Sequence, residues 1–531
     1  MTISKRSQAL GQSAKQRGFT IPAEDLDDVA EAVAGLSATV AAAAAGLDMM
    51  QSDTDFAATL RELAPVPWEG PPLRSLGPAS EIAAVQAVLH CAQRAATDLV
   101  GKLAWRSIDE GEATARAQAL DAERAQGRLR GPLHGMPFGI KDMFDRPGRV
   151  AGWGSPTREG RCAAEIAATV VSRLEQAGAV VLGTLHMAEY AMSPTGLNAS
   201  YGPGINPWNV EHVSGGSSSG SGMAVAAGHV PFALGSDTGG SVRLPAACCG
   251  VTGLKPTQYR LPLAGAMPLA PSLDCIGVLA RSAELCGWVY TAMAGADPRD
   301  PVCLDVPPTS TAWMTCEAAT LRVAVPRLVE GPMLSAAMLA AFKDAVDALR
   351  RAGVTCIAVD LPDLDLYSRL GSVMLAVESA AIHRQGLAAR PGSYGRQVRR
   401  RLSRGLLASA MDYYDALRLR GPLLRRFVSE FIRDTDALLL PTMPDVAPAV
   451  ATTVGDDQTR LEREFQRLSF WTRGTNYLGL PALSVPAGTG DKGLPLAVQF
   501  VGRPLAEDRI LALGCCFQRA TDWHTPTPRP N

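Results

Sequence analysis

The chain has 531 residues, of which 47% are hydrophobic and 19% are charged, and its formal net charge is −1. That balance is typical of a soluble globular protein, and it gives no long-range field that would favour nucleic acid or an anionic membrane. Near the N-terminus there is no apolar core of a signal peptide. The alanine-rich run 40–50 falls short of the roughly 20 apolar residues that span a bilayer. We therefore expect a cytoplasmic protein with no nucleic-acid partner and no membrane span.

The first 75 residues are predicted to form a helical extension. Leu26, Val29, Val33, Leu36 and Val40 recur at spacings of three and four, which places them on one apolar helical stripe. Prolines then interrupt any regular element and predict a linker near 65–75. The stripe is expected to pack on the main body, residues 76–531, and a dimerisation arm that would give a homodimer is the alternative.

From residue 80 onward, helical and strand-like segments alternate. The predicted helices are 166–176, 223–228 and 336–351, and the predicted strands are 136–140, 179–182, 230–234, 321–325 and 354–359. Alternation of this kind favours an α/β fold in which helices cover a central, largely buried sheet. The eleven cysteines form no C-x-x-C pair, so buried free thiols are predicted and not a disulfide framework or a metal site.

Two glycine-rich segments stand out in the middle of the chain. Residues 214–222 combine serine and glycine, and residues 235–243 contain Gly239 and Gly240 directly before Ser241. A flexible linker is disfavoured because apolar core segments follow closely. Adjacent glycines let several N–H groups turn towards one point, as an oxyanion hole requires.

Residues 216–220 also satisfy the G-x-S-x-G pattern of the α/β-hydrolase nucleophile elbow. That pattern requires a strand immediately before it and a helix after it. Residues 206–212 are rich in loop-forming types, so no strand is predicted there. No downstream histidine has a distinctive setting either, and the elbow interpretation is disfavoured.

Lys141 ends the apolar stretch 136–140, which is predicted to be a strand that enters the interior. A lysine held there loses hydration, and its pKa falls. Lowering that pKa from about 10.4 to about 7–8 needs roughly 4 kcal/mol, which a desolvated site can supply. A neutral lysine can act as a general base towards a serine.

Taken together, these segments resemble the amidase-signature family over residues 80–525. Residues 131–142 resemble its lysine motif, and residues 214–218 with 235–247 resemble its glycine–serine signature. Further matches lie at 198, 201–202, 206–209, 249–257, 272–274, 438–442, 479–482 and 493–495. The resemblance implies a mixed central β-sheet flanked by helices on both faces, here preceded by the helical N-terminal extension.

The resemblance also implies a Ser–Ser–Lys site. Ser241 is then the acyl-forming nucleophile, Lys141 is the base, and Ser217 is the bridging serine on a cis peptide after Gly216. The further implied site residues are the oxyanion-hole donors Thr238, Gly239, Gly240 and Ser241, and the pair Asp237 and Arg243. For this pair we expect a structural role, in which a charge-assisted hydrogen bond braces the loop.

The substrate pocket is expected to lie between residues 190–197 and the helical segment 394–417. Ala191 and Met192 are small or apolar, which favours an apolar acyl or aryl group. The run 399–401 of three arginines is expected on a solvated helix face.

Two serines after the bridging position complete the expected pocket. Ser218 is expected to contact the substrate. Ser219 stands where the family usually has glycine, and its side chain is expected to trim the acyl pocket.

The expected function is hydrolysis of a carbon–nitrogen bond of a non-peptide amide, with esters or carbamates as further substrates. Neither a metal nor a cofactor is needed, and the expected partner is the small-molecule substrate. The alternative is the glutamine-dependent A-type subunit of a complex that amidates charged tRNA. The extension and the near-neutral charge favour a free-standing hydrolase. The intact set of Lys141, Ser217 and Ser241 disfavours a non-catalytic binding protein.

Overall fold

A computed structural model describes residues 4–45, 55–66, 81–306, 311–455 and 457–528. The α-helices are α1 Lys5–Gln16, α2 Leu26–Ala45, α3 Phe56–Glu62, α4 Ala84–Thr97, α5 Leu99–Ala104, α6 Glu110–Ala125, α7 Thr169–Gln176, α8 Ser219–Ala226, α9 Arg243–Cys249, α10 Ala283–Met293, α11 Ala336–Arg351, α12 Leu364–Ala389, α13 Arg396–Leu407, α14 Ala410–Arg418, α15 Arg420–Phe431, α16 Gln458–Tyr477 and α17 Glu507–Ala520.

The strands form one mixed sheet and two small hairpins. They are β1 Trp105–Ile108, β2 Pro137–Lys141, β3 Val180–Leu185, β4 Leu197–Asn198, β5 Gly202–Pro203, β6 Ile205–Asn206, β7 Asn209–Val213, β8 Phe232–Ser236, β9 Thr252–Lys255, β10 Ile276–Ala280, β11 Arg322–Pro326, β12 Thr355–Val359, β13 Ala437–Pro441, β14 Ala482–Thr489 and β15 Pro495–Gly502. The order in the large sheet is β1-β3-β2-β8-β10-β9-β14-β15-β13-β11-β12. Strands β4 and β5 pair with each other, as do β6 and β7.

Both faces of the large sheet are covered. Phe232 and Leu234 of β8 belong to one apolar cluster, whereas Ala233 between them belongs to another. Because successive side chains of a strand point to opposite faces, the two clusters lie on the two sides of the sheet. The central strands are buried on both sides, which explains their continuous apolar sequence. The predicted α/β fold with a mixed central sheet is confirmed.

Several elements begin or end at residues other than those that the sequence predicts. Helix α11 has the predicted bounds, whereas α7 begins at Thr169 and not at 166. Residues 206–212, predicted as loop, form most of the β6–β7 hairpin. Helix α8 begins at Ser219, so the second half of the serine–glycine segment is helical. Its glycines allow close packing, since a Cβ on Gly220 would lie 2.4 Å from the Ala104 carbonyl oxygen.

The sheet topology brings the two glycine-rich segments to the end of β2. Strands β2 and β8 are parallel neighbours, with Ile140 opposite Leu234. Their carboxyl ends therefore meet at one edge of the sheet. Helix α8 leads into β8, and the loop after β8 leads into α9. This edge carries the residues that the sequence singled out.

The N-terminal helices pack on the main body through an apolar contact. Phe19, Ile21 and Val29 are buried in one small cluster with Leu407 of α13. Among the described residues, the helical stretch 23–45 is long and apolar enough to cross a membrane by length and composition alone. The predicted linker falls mostly on residues 67–80, outside the described part of the chain.

Charged groups reinforce the same contact. Asp25, which is 1% exposed, lies 3.3 Å from the Arg399 guanidinium and 3.5 Å from those of Arg396 and Arg400. Asp28 also pairs with Arg400. The N-terminal helices are thus held on α13 by a small ionic network beside an apolar cluster.

Candidate active site

Lys141 ends β2 in the interior of the protein. Its side chain is fully buried, and Nζ donates to Ser217 Oγ at 2.7 Å and to Ser236 Oγ at 2.9 Å. Burial lowers the pKa of Lys141 to about 7, although the negative charges of Asp237 and Asp274 act in the opposite direction. Lys141 is therefore a lysine whose amine can be neutral near neutral pH.

The two serine loops lie side by side next to this lysine. The Gly216–Ser217 peptide is cis. The Ser218 N–H donates to the Ser241 carbonyl oxygen at 3.3 Å, which joins the two loops. Ser241 is half-buried and lines a cavity of about 40 Å³. Within the described residues its hydroxyl makes no hydrogen bond, and catalytic contacts often tighten only when substrate binds.

Asp237 and Arg243 form a fully buried ion pair behind the Ser241 loop. Arg243 Nε donates to Asp237 Oδ2, and Nη2 donates to Oδ1, both at 3.0 Å. Burial by itself would raise the pKa of Asp237, but the charge and hydrogen bonds of Arg243 hold that pKa well below its usual range. Asp237 also accepts the N–H groups of Gly240 and Val242. The ion pair of Asp237 and Arg243 thus fixes both ends of the loop that carries Ser241.

The structure changes the expected set of oxyanion donors. The Gly240 N–H donates to Asp237 Oδ1 at 2.7 Å, so a carboxylate already satisfies it. In the part of the chain that is described, the N–H groups of Thr238, Gly239 and Ser241 have no acceptor. These three groups are the ones free to bind an oxyanion.

A second carboxylate positions the loop at Thr238. Asp274 Oδ1 accepts from Thr238 Oγ1 at 2.6 Å, and Oδ2 accepts from two backbone N–H groups. Burial raises the pKa of Asp274 to about 6. The sequence matched Asp274 to a family segment but gave it no role.

Ser218 and Ser219 do not lie where the sequence led us to expect them. Ser218 Oγ bonds with the backbone of Ser236 at 3.3 Å, and Ser219 Oγ donates to the His186 carbonyl oxygen at 3.4 Å. Both are fully buried at the start of α8, and neither lines the cavity at Ser241. The hairpin strand β7 does precede this segment and a helix follows it, but Ser218 has no access to the cavity.

Two arginines that the sequence did not single out line the cavity beside Ser241. Arg401, on α13, donates to the Met192 carbonyl oxygen, and Arg473, on α16, donates to Ser372 and Ser469 at 3.0 and 2.6 Å. Among the described residues, neither forms an ion pair with a carboxylate. Burial, and then the charge of Arg401, lower the pKa of Arg473 to about 10, so it stays protonated at neutral pH.

The cavity at Ser241 is not lined by small and apolar side chains alone. Ala191 and Met192 do line the cavity, as expected, but two guanidinium groups face them. The run 399–401 does not lie on a solvated face, since Arg400 is 3% exposed and Arg401 borders the cavity. Its burial comes from the packing of α13 against α2 and α12.

Metal-binding groups are not gathered in this region. Across the described ranges, no cluster of three or more His, Cys, Asp or Glu side chains could hold a metal ion. The eleven cysteines are free thiols, and Cys162 is exposed.

Comparison with known proteins gives one matching family model, described as Amidase, over residues 83–511. The A-type subunit of glutamyl-tRNA(Gln) amidotransferase from Roseiflexus castenholzii is 38% identical over 448 residues, which are 80% of this chain and 90% of that protein. The corresponding protein of Neisseria meningitidis serogroup B is 36% identical over 454 residues, or 80% and 91% of the two chains.

Solved structures agree with this likeness. One, described as an unexpected vestigial protein complex that reveals the origins of an s-triazine catabolic enzyme, superposes with a TM-score of 0.75 at 32% identity. It covers 85% of this chain and 97% of its own. The native peptide amidase of Stenotrophomonas maltophilia has a TM-score of 0.71 at 28% identity, over 85% and 95% of the two chains.

These relatives contradict the expectation about partners. The sequence led us to expect only a small-molecule amide, ester or carbamate, no nucleic acid and at most a homodimer. The matched relatives are named as one subunit of an enzyme that acts on a charged tRNA. The sequence motifs describe only the residues expected around the reacting amide, so they carry no information about other subunits. Net charge reports only the long-range electrostatic field of this chain and does not identify its partners.

Gly240→Ala is expected to abolish most activity, because Gly240 has a φ of +124° and a Cβ there would lie 2.2 Å from Thr472 Oγ1. Displacing the loop should lower kcat by about 10²- to 10³-fold, as loss of an oxyanion donor does. Gly111→Ala on α6 is the control, because its φ is not positive, its Cβ would meet nothing within 4 Å, and it does not line the cavity at Ser241. Equal activity of the two variants, measured as ammonia release, would show that the loop shape does not matter.

Proposed function

This chain belongs to the amidase family, and on that premise we propose that it cleaves amide bonds through an acyl-enzyme formed on Ser241. The observation that carries the proposal is the fully buried Lys141, whose amine donates to Ser217 Oγ at 2.7 Å and, within the described residues, has only hydroxyl partners. A buried amine that contacts no carboxylate is able to take up a proton.

The proposed reaction has two halves. Ser241 Oγ attacks the amide carbonyl while its proton passes through Ser217 to neutral Lys141, and the N–H groups left free in the loop hold the oxyanion. The protonated relay then gives the proton to the leaving nitrogen, and the carbon–nitrogen bond breaks. Water attacks the ester of Ser241, again with Lys141 as base, and releases the acid.

The charge beside Ser241 indicates which amides fit. Among the described residues, Arg401 and Arg473 form no ion pair with a carboxylate. The charge of Glu462, which pairs with Arg404, acts on both only at a distance, and the buried Arg473 Nε has no hydrogen-bond partner. A substrate carboxylate would compensate both charges through strong hydrogen bonds. We therefore infer that the acyl part of the substrate carries an anionic group.

The relatives favour a particular setting for this reaction. In the A-type component of a tRNA amidotransferase, the amide is glutamine, and the released ammonia passes to a partner that holds the charged tRNA. Glutamine is a primary amide with a carboxylate, so it matches the charge next to Ser241. Hydrolysis of another amide, ester or carbamate by the same Ser241 is the second candidate, and it is favoured because one solved neighbour is named as an amidase and not as an amidotransferase.

Ammonia release separates the two candidates. Purified chain is assayed with glutamine and with an aryl amide, alone and together with partner subunits of a tRNA amidotransferase. Glutamine turnover that rises when the partners are added supports the amidotransferase role. Fast turnover of the aryl amide, with no turnover of glutamine under either condition, would contradict it.

A serine-directed fluorophosphonate should label the protein once, at Ser241, and Ser241→Ala should lose both labelling and turnover. Ser218→Ala is the control, because Ser218 is buried, does not line the cavity, and bonds through its hydroxyl with the Ser236 backbone. Mass spectrometry of the labelled peptide identifies the site. Labelling at Ser218 would instead support the nucleophile elbow.

The kcat/KM of the enzyme should rise with pH through an apparent pKa near 7 and then reach a plateau, since burial lowers the pKa of Lys141 to about 7. The sign follows because protonated Lys141 cannot accept the Ser241 proton, so acid silences the enzyme. Lys141→Arg should be inactive, because a guanidinium stays charged. Lys343→Arg, on the exposed side of α11, is the control. A flat profile from about pH 5 to 9 would exclude Lys141 as the base.

Arg473→Met should impair anionic amides selectively. For glutaramate, a primary amide with a terminal carboxylate, kcat/KM should fall about ten- to a hundredfold, as expected when a charged hydrogen bond worth about 1.5–3 kcal/mol is lost. For neutral pentanamide it should change by less than about twofold. Equal losses on both amides would mean that Arg473 acts on the fold and not on the substrate.

A further inference from the structure

The small cavity at Ser241 adjoins a much larger one, which we call the chamber. The chamber has a volume of about 460 Å³, against about 40 Å³ for the cavity at Ser241. Met192, Leu375, Arg401 and Arg473 line both spaces. The chamber is therefore the neighbouring space with room for the part of a substrate beyond its reacting carbonyl.

One wall of this chamber comes from the N-terminal extension. The lining residues of α2 are Asp28, Glu31, Ala32, Gly35, Leu36 and Thr39. Their spacings of three and four place them on one face of the helix. Val29 and Val40, which are fully buried, are not part of this set and pack on the body. The helix thus packs along one side and lines the chamber along the other.

This wall is fixed in position and open at its centre. Asp28 pairs with Arg400, and Ser37 donates to Asp412 of α14, so both halves of the chamber-lining face are anchored. A Cβ on Gly35 would meet no atom within 4 Å. Gly35, at the middle of this wall, therefore has no side chain and has free space in front of it.

We propose that α2 is a specificity-determining wall of the substrate site, although residues 26–45 lie outside the match to the amidase family at 83–511. The part of a polar amide that extends away from the scissile carbonyl lies against α2. The size of that part is limited at Gly35 and Thr39. This inference rests on the proposed function only in that the chamber adjoins the cavity at Ser241.

Gly35→Trp tests the inference in the full chain, because Gly35 lines the chamber and a Cβ there meets no atom within 4 Å. Ser241 labelling is timed with two probes, a small diisopropyl fluorophosphonate and a fluorophosphonate that carries a bulky rhodamine group. The matched control is Gly111→Trp on α6, where a Cβ also meets nothing within 4 Å and which does not line the chamber. Thr39→Trp, one turn along the same face, gives a second variant, and thermal unfolding verifies each fold.

The bulky probe should react with Gly35→Trp at least about tenfold more slowly than with wild type, since steric exclusion acts only on the larger ligand. The small probe should react at the wild-type rate with all variants, and Gly111→Trp should be unchanged with both. If Gly35→Trp and Thr39→Trp label with both probes as wild type does, the role of α2 is overturned. If the wild type itself is not labelled at Ser241, the proposed function fails first, and this role of α2 fails with it.

Discussion

The buried ion pair between Asp237 and Arg243 fixes the loop that carries Ser241. Asp237 accepts the N–H groups of Gly240 and Val242, so the carboxylate sets which backbone donors point away from the cavity. Arg243 reaches further, to Thr475 at 2.6 Å and Gln499 at 2.9 Å, and so joins the loop to α16 and β15. Removing one partner of such a pair leaves a buried charge uncompensated, which costs about 3–5 kcal/mol. The loop, the sheet and α16 therefore form one rigid unit.

The same ion pair makes a neutral Lys141 possible. A carboxylate bonded to a lysine stabilises the protonated amine and raises its pKa. Asp237 is compensated by Arg243, so its charge acts on Lys141 only at a distance, and desolvation outweighs it. The hydrogen-bond partners of Lys141 are the hydroxyls of Ser217 and Ser236, which are able to accept from or donate to the amine. Two basic side chains in one buried region, Arg243 and Lys141, thus differ in how readily they carry a charge because their partners differ.

The sequence identifies the segments of the candidate catalytic site better than it identifies the candidate substrate pocket. Lys141 and Ser241 stand out because strand ends and paired glycines are local patterns, and the predicted bounds of helix α11 match the structure. The freed N–H groups could not be assigned, because the contact between Gly240 and the Asp237 side chain depends on the folded loop. Arg401 and Arg473 come from helices far apart in sequence, so no local pattern places them together. A run of three arginines is typical of a solvated helix, and only the packing of α2 and α12 on α13 buries it.

Because α2 belongs to the same chain as the site that it borders, less binding free energy is needed to hold it in place. A separate protein has to overcome the loss of translational and rotational freedom, which costs roughly 4–15 kcal/mol. A segment of the same chain docks intramolecularly, so it does not bear that full cost. The modest apolar cluster around Phe19 and the ion pairs of Asp25 are then sufficient to keep α2 in position. Every copy of the enzyme carries its own wall at a fixed one-to-one ratio, whatever the protein concentration.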